Sequence, residues 1–404
     1  MKAVVFHDVG DIRLDDVEDP KIQEPTDAIV RLTSSAICGT DLHMVRGTMA
    51  GMVPGTILGH EGVGVVEEVG SGVRNLISGD RVVIPSTVGC GYCSYCRAGY
   101  FAQCDNANPN GPQSGTAFFG GPQPTGPING LQAEYARIPY ANVGPVKLPE
   151  NVSDEEAILI SDIFPTAYFG ADIAGVKDGD TVAVFGLGAV GQFAVLSAFI
   201  MGAGRVLAVD RVESRLEAAR AQGAEVINFE KEDPVQTIFD LTGGIGVDRV
   251  IEAVGVDAEH AHSGPAAPSG DQQQQYEQEV DQVAPEANPK GELWQPGNAP
   301  SQSLLWATQA VAKGGTIGVI GVFPPQAMTF PIGAVQQRNL TVRGGNCNHR
   351  RYIPRLVGMV AAGTVDPTNF ITDKEPTPSA IDAYEVFDQR EPGWLKVELQ
   401  PAGA

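Results

Sequence analysis

Four cysteines in one short stretch could hold a metal ion. The stretch GCGYCSYCRAGYFAQC has the spacing C-x2-C-x2-C-x7-C, and its thiols belong to Cys90, Cys93, Cys96 and Cys104. Thiolates two residues apart can point into one tetrahedral site, and a fourth from a short loop closes it. Disulfides would need an oxidising compartment, and an iron-sulfur cluster would usually have redox neighbours that this sequence does not display. We therefore predict a structural zinc in a lobe at about residues 89–105.

A cysteine and a histidine on the N-terminal side of this lobe offer a second set of metal ligands. Cys38 lies in ICGTDLH, and His60 lies in GHEGVGVVEEVGSGV. Alone, each could be an ordinary core residue, but together they supply one thiolate and one imidazole. Two protein ligands hold a catalytic zinc poorly, so a third is required, and the fourth position must stay open for water or a substrate oxygen.

A glycine-rich loop indicates a dinucleotide. In DTVAVFGLGAVGQF, the pattern G-x-G-x-x-G is formed by Gly186, Gly188 and Gly191, and Asp210 ends the next apolar run. Such glycines let the backbone approach a pyrophosphate at a helix N-terminus, and the carboxylate binds the ribose hydroxyls. Because that carboxylate would repel a 2'-phosphate, we expect NAD in preference to NADP. Further cofactor contacts are expected from Ala189, Val190, Arg211 and Arg215.

The elements that must position these residues change character along the chain. Short β-branched runs broken by glycine and proline, such as GVGVVEEVG and DRVVIP, extend to about residue 155. From about residue 176, apolar strands such as RVLAVD alternate with helices of 10 to 15 residues, which is typical of a doubly wound parallel sheet. We predict an α/β fold in which residues 161–334 form the parallel-sheet domain, while residues 1–160 and 335–404 form a β-rich domain.

A polar insertion interrupts the alternation at residues 260–303. It is rich in Gln, Pro, Gly and Ala, and we expect it to be a solvent-exposed loop. It follows the strand DRVIE, whose carboxyl end should face the cofactor crevice, so a second possibility is that it covers the bound cofactor. Trp294 is the residue in it best suited to anchoring.

Composition excludes several classes of function. The 404 residues suffice for two domains, and the 49 acidic against 27 basic side chains, a net charge of −22, oppose nucleic-acid binding. The N-terminus turns acidic by Asp8 without an apolar core, so no signal peptide is predicted. The uncharged stretch 181–204 is interrupted by glycines, which disfavours a membrane span. We expect a soluble cytoplasmic protein with no membrane partner.

Taken together, the three motifs resemble the zinc-containing medium-chain alcohol dehydrogenase family. That resemblance implies a GroES-like β-rich catalytic domain joined to a Rossmann NAD-binding domain. The stretch SDIFPT at 161–166 resembles most nearly the branch of glutathione-independent formaldehyde dehydrogenases. The family's zinc signature, G-H-E-x2-G-x5-G-x2-V, is matched by Gly59, His60, Glu61, Gly64, Gly70 and Val73.

The resemblance also implies roles for single residues. It places a catalytic zinc on Cys38, His60 and Asp162, and so two zinc ions in each chain. By the same resemblance, Thr40 hydrogen-bonds the substrate oxygen, and His43 is the outer histidine of a proton relay. Glu61 is expected behind the metal. No special role is expected of the remaining candidate ligands, which are His7, His260, His262, His349 and Cys347.

The implied reaction is hydride transfer between NAD and a zinc-bound alcohol or aldehyde hydrate, with a small molecule as substrate. Two related activities stay open, an aldehyde dismutase that retains its NAD and a polyol dehydrogenase. A non-catalytic protein that binds zinc and a nucleotide is a remote alternative. The family resemblance also implies a homo-oligomer, either a dimer or a homotetramer.

Overall fold

The computed structural model describes residues 1–111 and 113–401, and the chain divides into two compact units. The first unit comprises Met1–Pro165, Asn288–Trp294 and Asn346–Ala404, and the second comprises Thr166–Ala287 and Gln295–Gly345. The β-strands, in chain order, are β1 (Lys2–Asp8), β2 (Asp11–Asp16), β3 (Ala28–Ile37), β4 (Gly62–Val69), β5 (Arg81–Ile84), β6 (Tyr135–Ile138), β7 (Val146–Lys147), β8 (Thr181–Phe185), β9 (Arg205–Asp210), β10 (Glu225–Asn228), β11 (Val247–Glu252), β12 (Val311–Val319), β13 (Thr341–Gly344), β14 (Asp373–Pro376) and β15 (Val397–Gln400).

The α-helices are distributed over both units. In chain order they are α1 (Gly39–Arg46), α2 (Ser94–Arg97), α3 (Asp154–Ser161), α4 (Ile163–Ala174), α5 (Ala189–Ile200), α6 (Glu213–Ala221), α7 (Pro234–Leu241), α8 (Gly270–Val283), α9 (Gln302–Ala310), α10 (Ile332–Gln337), α11 (His349–Ala361) and α12 (Ala380–Asp388). Within the described residues, no single helix is long and apolar enough to span a membrane, although α3 and α4, bent by 44°, would pass that test as a pair.

The first unit is built on a seven-stranded sheet with β3 near its middle. The strand order is β14-β15-β3-β4-β5-β7, β6 also pairs with β3, and β1 and β2 form a separate hairpin. Alternate side chains of β3, β4 and β5, among them Val30, Val66 and Val82, enter one buried cluster. This side-chain alternation of period two is what the short β-branched runs predict. The ends of β3 and β4 carry residues of the candidate site.

The second unit contains the parallel sheet that the sequence predicts. Its order is β10-β9-β8-β11-β12-β13, and every neighbouring pair is parallel. This is the strand order of dinucleotide-binding folds, in which ligands bind at the carboxyl ends of the strands where the order reverses, here between β8 and β11. The predicted fold class is therefore confirmed. The strand β13 belongs to this sheet by its pairing with β12, whereas the sequence had placed residues from 335 onward in the β-rich domain.

The insertion at 260–303 contains a helix, so the expectation that it is a loop is wrong, although many of its side chains are exposed as expected. It contains the 14-residue helix α8, which begins with a capping box between Ser269 and Gln272 and buries Tyr276 and Val283. Its residues 288–294 belong to the first unit, where Trp294 is 3% exposed and joins the buried cluster that contains Phe6. The apolar contacts of these few side chains hold the otherwise polar segment in place.

Candidate active site

Three predicted metal ligands converge in the first unit. Cys38 directly precedes α1, His60 lies just before β4, and Asp162 occupies the break between α3 and α4. All three are buried, with exposures of 6%, 2% and 7%. One ligand atom from each of them, and one from Glu61, lie within 4.8 Å of one another.

The spacing and chemistry of these atoms fit a zinc ion. His60 Nε2 lies 3.5 Å from Asp162 Oδ2, and Cys38 Sγ lies 3.9 Å from the same oxygen. Ligand atoms bonded to tetrahedral zinc at 2.0–2.3 Å are separated by about 3.3–3.5 Å, so a small closure would complete the site. His60 Nε2 is buried and makes no hydrogen bond. A buried imidazole nitrogen left unpaired beside a thiol and a carboxylate is best explained as a metal ligand.

Asp41 orients two of the three ligands. Its Oδ1 lies 3.0 Å from His60 Nδ1, and its Oδ2 accepts the backbone N–H of Cys38 at 2.9 Å. Burial alone would lower the pKa of His60, but Asp41 and Asp162 raise this pKa well above its usual value. With Nδ1 engaged by Asp41, the other ring nitrogen is directed toward Cys38 and Asp162.

His349, to which the sequence assigned no role, holds Asp162. Its Nε2 lies 2.7 Å from Asp162 Oδ1, and its Nδ1 lies 3.0 Å from Thr87 Oγ1. Burial would raise the pKa of Asp162, yet the hydrogen bond of His349 and the charge of the neighbouring His60 ring hold this pKa well below its usual value. Asp162 therefore stays an anion, with Oδ1 bound to His349 and Oδ2 facing His60 and Cys38.

Glu61 lies behind the ligand cluster and is paired with a buried lysine. Its Oε1 is 2.5 Å from Lys396 Nζ and 4.0 Å from His60 Nε2. Lys396 also donates a hydrogen bond to the carbonyl oxygen of Ile37 at 3.1 Å. This lysine offsets one negative charge of the cluster, and no motif in the sequence marks it.

The two predicted relay residues lie on α1. Thr40 is half-buried in the first turn of that helix, two residues after Cys38. His43 is buried one turn later, and its Nδ1 lies 2.9 Å from Thr48 Oγ1. Thr40 and His43 therefore lie on the helix that begins directly after Cys38.

The four-cysteine lobe forms a second cluster in which sulfur atoms accept backbone hydrogen bonds. Cys90, Cys93, Cys96 and Cys104 each bring a sulfur within 4.8 Å of the others. Cys90 donates its N–H to Cys104 Sγ at 3.2 Å, and Cys93 donates its N–H to Cys90 Sγ at 3.3 Å. Burial opposes ionisation, but backbone N–H groups lower the pKa of Cys93 to about 7. Four thiols gathered in this way fit a closed tetrahedral zinc site.

The glycine loop of the second unit can accommodate a pyrophosphate. Gly186 has φ +85°, and a Cβ on Gly191 would lie 1.9 Å from the carbonyl oxygen of Gly186. A Cβ on Gly188 would meet nothing within 4 Å, and Gly188 precedes the 12-residue helix α5, whose N-terminus has no side-chain cap. Ala189 and Val190 begin that helix. Its free N–H groups and positive dipole suit an anionic group.

Asp210 is hydrogen-bonded to this loop, and the two basic residues that follow it, Arg211 and Arg215, make different contacts. Asp210 accepts the N–H of Leu187 at 2.7 Å on one oxygen and the N–H of Arg211 at 2.7 Å on the other. The guanidinium of Arg211 is paired with the carboxylate of Glu259. The carbonyl oxygen of Arg215 accepts a hydrogen bond from Gln192 at 2.8 Å, which ties α6 to α5.

Two family models match this chain. Residues 24–150 match the alcohol dehydrogenase GroES-like domain, and residues 189–263 match the zinc-binding dehydrogenase model. An uncharacterized zinc-type alcohol dehydrogenase-like protein of Bacillus subtilis, AdhB, is 38% identical over 85% of this chain and 84% of its own length. A glutathione-independent formaldehyde dehydrogenase of Pseudomonas aeruginosa is 39% identical over 51% of this chain and 52% of its own. Among solved structures, the alcohol dehydrogenase TADH from Thermus sp. ATN1 superimposes with a TM-score of 0.80 at 34% identity, covering 99% of this chain and 100% of its own.

Proposed function

Since the chain belongs to the zinc-containing medium-chain alcohol dehydrogenase family and is a zinc-dependent oxidoreductase, we propose that it transfers a hydride between NAD and a small alcohol or aldehyde. We assign Cys38, His60 and Asp162 as the ligands of its catalytic zinc. The observation that carries this assignment is the buried, unpaired Nε2 of His60 beside a thiol and an anionic carboxylate.

The chain's own groups would position the metal ligands and carry the substrate's proton. When bound, zinc would polarise the substrate oxygen, and NAD would accept the hydride. Asp41 fixes the ring of His60, and His349 fixes Asp162, so both ligands need little reorganisation. Thr40 would hydrogen-bond the substrate hydroxyl, and His43 would form the outer end of the path by which its proton leaves.

We assign the four cysteines of the lobe to a second, structural zinc, giving two zinc ions per chain. The support is that all four protein ligands are sulfur atoms, which leaves no position for a substrate. In the described part of the chain, which includes all six cysteines, no disulfide joins any two of them, and this favours a reducing compartment and hence the cytoplasm. We also propose a homo-oligomer, a dimer or tetramer, because β13 lies at an edge of the six-stranded sheet and could pair with a second copy.

The test is an activity screen combined with metal analysis. Purified protein is assayed for NADH formation with primary alcohols, polyols and aldehydes, and its zinc content is measured. We expect NAD-dependent oxidation and two zinc ions per chain. Release of NAD on denaturing the purified protein, together with aldehyde turnover without added cofactor, would instead indicate the dismutase. Absence of turnover with all three substrate classes would overturn the proposal.

A further inference from the structure

We infer that Glu259 enforces the choice of NAD over NADP by engaging Arg211, an inference that rests on the proposed function. The guanidinium of Arg211 donates a hydrogen bond to Glu259 Oε2. The two side chains are 27% and 24% exposed, so the pair is largely shielded from water. Glu259 lies just before the polar insertion, in a part of the chain that the motifs did not mark.

Arg211 is the residue that could reverse the selectivity expected from Asp210. Asp210 ends β9, where the adenosine ribose would be bound, and its carboxylate is fixed by the N–H groups of Leu187, Arg211 and Val212. An arginine beside this carboxylate is the group that accommodates a 2'-phosphate in NADP-binding relatives of the fold. A guanidinium matches a phosphate well through two parallel hydrogen bonds. An unengaged Arg211 would therefore favour NADP.

The backbone around Glu259 is held in place from the other end of the insertion. The carbonyl oxygen of Ala258 accepts the N–H of Ala299 at 2.9 Å, and the carbonyl oxygen of Glu259 accepts a hydrogen bond from Gln302 at 2.9 Å. The N–H of His260 donates to Asn298 Oδ1 at 2.8 Å. Residues 258–260 are therefore tied to residues 298–302. Because this backbone is already fixed, Glu259 loses little conformational entropy when it pairs with Arg211.

Binding NADP would disrupt this arrangement, whereas binding NAD would leave it intact. To bind a 2'-phosphate, Arg211 must leave Glu259, and a mostly buried carboxylate would then face a phosphate of the same sign. Like charges brought together in this way disfavour the wrong ligand strongly. Glu259 thus adds a second negative charge to that of Asp210 and engages Arg211, the cation next to Asp210 that could compensate for it.

The test compares cofactor affinities in the full-length protein by calorimetric titration with NADH and with NADPH. Glu259→Gln removes the charge but keeps an acceptor for Arg211, so the backbone around residue 259 should remain folded. We expect the ratio of the NADPH to the NADH dissociation constant to fall by about tenfold, a size consistent with one partly shielded charge pair. Glu277→Gln, which makes the same charge change on the exposed side of α8, should leave the ratio unchanged.

Two further variants tie the effect to Arg211. Adding Arg211→Ala to Glu259→Gln should abolish the gain in NADPH affinity. Combining Asp210→Ser with Glu259→Gln should lower the ratio of the NADPH to the NADH dissociation constant by a larger factor than the product of the factors for the two single substitutions. The inference is overturned if Glu259→Gln binds NADH but leaves the ratio within twofold of wild type, or if the wild type prefers NADPH. A wild type that binds neither nucleotide would overturn the proposed function itself and the inference with it.

Discussion

Replacing His349 by alanine should loosen the catalytic zinc without touching any ligand. In the structure, His349 Nε2 is hydrogen-bonded to Asp162 Oδ1 at 2.7 Å, and both side chains are buried. Without the histidine, this oxygen is left in a site that water reaches poorly, and the carboxylate is free to turn away from His60 and Cys38. The zinc should then bind less tightly, although all three of its protein ligands remain.

The size of the effect follows from the contacts. Loss of a group that hydrogen-bonds a metal ligand lowers metal affinity by about 10–100-fold, which is roughly 1.4–2.7 kcal/mol. Removal of one hydrogen-bond partner of a buried acceptor costs about 1–3 kcal/mol by itself. Since Asp162 Oδ1 is both buried and engaged at short distance, we expect the upper half of this range, a loss of about 30–100-fold.

The assay is chelator competition on zinc-loaded protein, read by a colorimetric zinc indicator. His349→Ala should release one zinc ion readily and keep the zinc of the four-cysteine lobe. His349→Gln retains an N–H donor and should recover most of the affinity, and His262→Ala, on an exposed histidine, should behave as wild type. Replacing the zinc by cobalt gives a second readout, because a change in coordination alters the absorption spectrum. Release of both zinc ions from His349→Ala at the wild-type rate would refute the reasoning.

Three further predictions concern other parts of the chain. Cys96→Ala should reduce the zinc content by one ion and lower the midpoint of thermal unfolding by more than about 5 °C, because a closed zinc site contributes folding free energy. An unchanged zinc content would argue against the lobe as a metal site. Gly191→Ala should weaken NADH binding by at least about tenfold in a calorimetric titration with zinc content unchanged, since its Cβ would lie 1.9 Å from the oxygen of Gly186. Trp294→Ala should destabilise the first unit by about 3–5 kcal/mol in chemical unfolding, because its ring is 3% exposed; a loss below about 1 kcal/mol would mean that the insertion is not anchored there.

Much of the fold, and the residues that lie together in the candidate site, could be predicted because the signals are local. The strand β9 is the predicted RVLAVD, and β8, the glycine loop and α5 follow one another as the motif requires. Apolar runs bounded by glycine mark buried parallel strands whatever their partners are. Cys38 and His60 were likewise marked by their immediate neighbours along the chain, and Asp162 by resemblance.

The groups that orient the ligands could not be predicted because their partners are distant in sequence. His349 and Asp162 are 187 residues apart, and Lys396 and Glu61 are 335 residues apart. A lone histidine or lysine is usually unremarkable, and nothing beside these two marks them as different. The helix α8 was missed for another reason: its apolar stripe is narrow, although the pair Ser269 and Gln272 in the sequence was a visible start signal.

The most direct test of the zinc-dependent hydride transfer proposed for this chain is to measure zinc content, NADH affinity and turnover together for Asp162→Ala. Asp162 lies in the first unit and the glycine loop in the second, so the substitution should remove or loosen one zinc and abolish NADH formation while changing the NADH dissociation constant by less than about threefold. An Asp162→Ala protein that keeps two zinc ions and wild-type turnover would contradict the account.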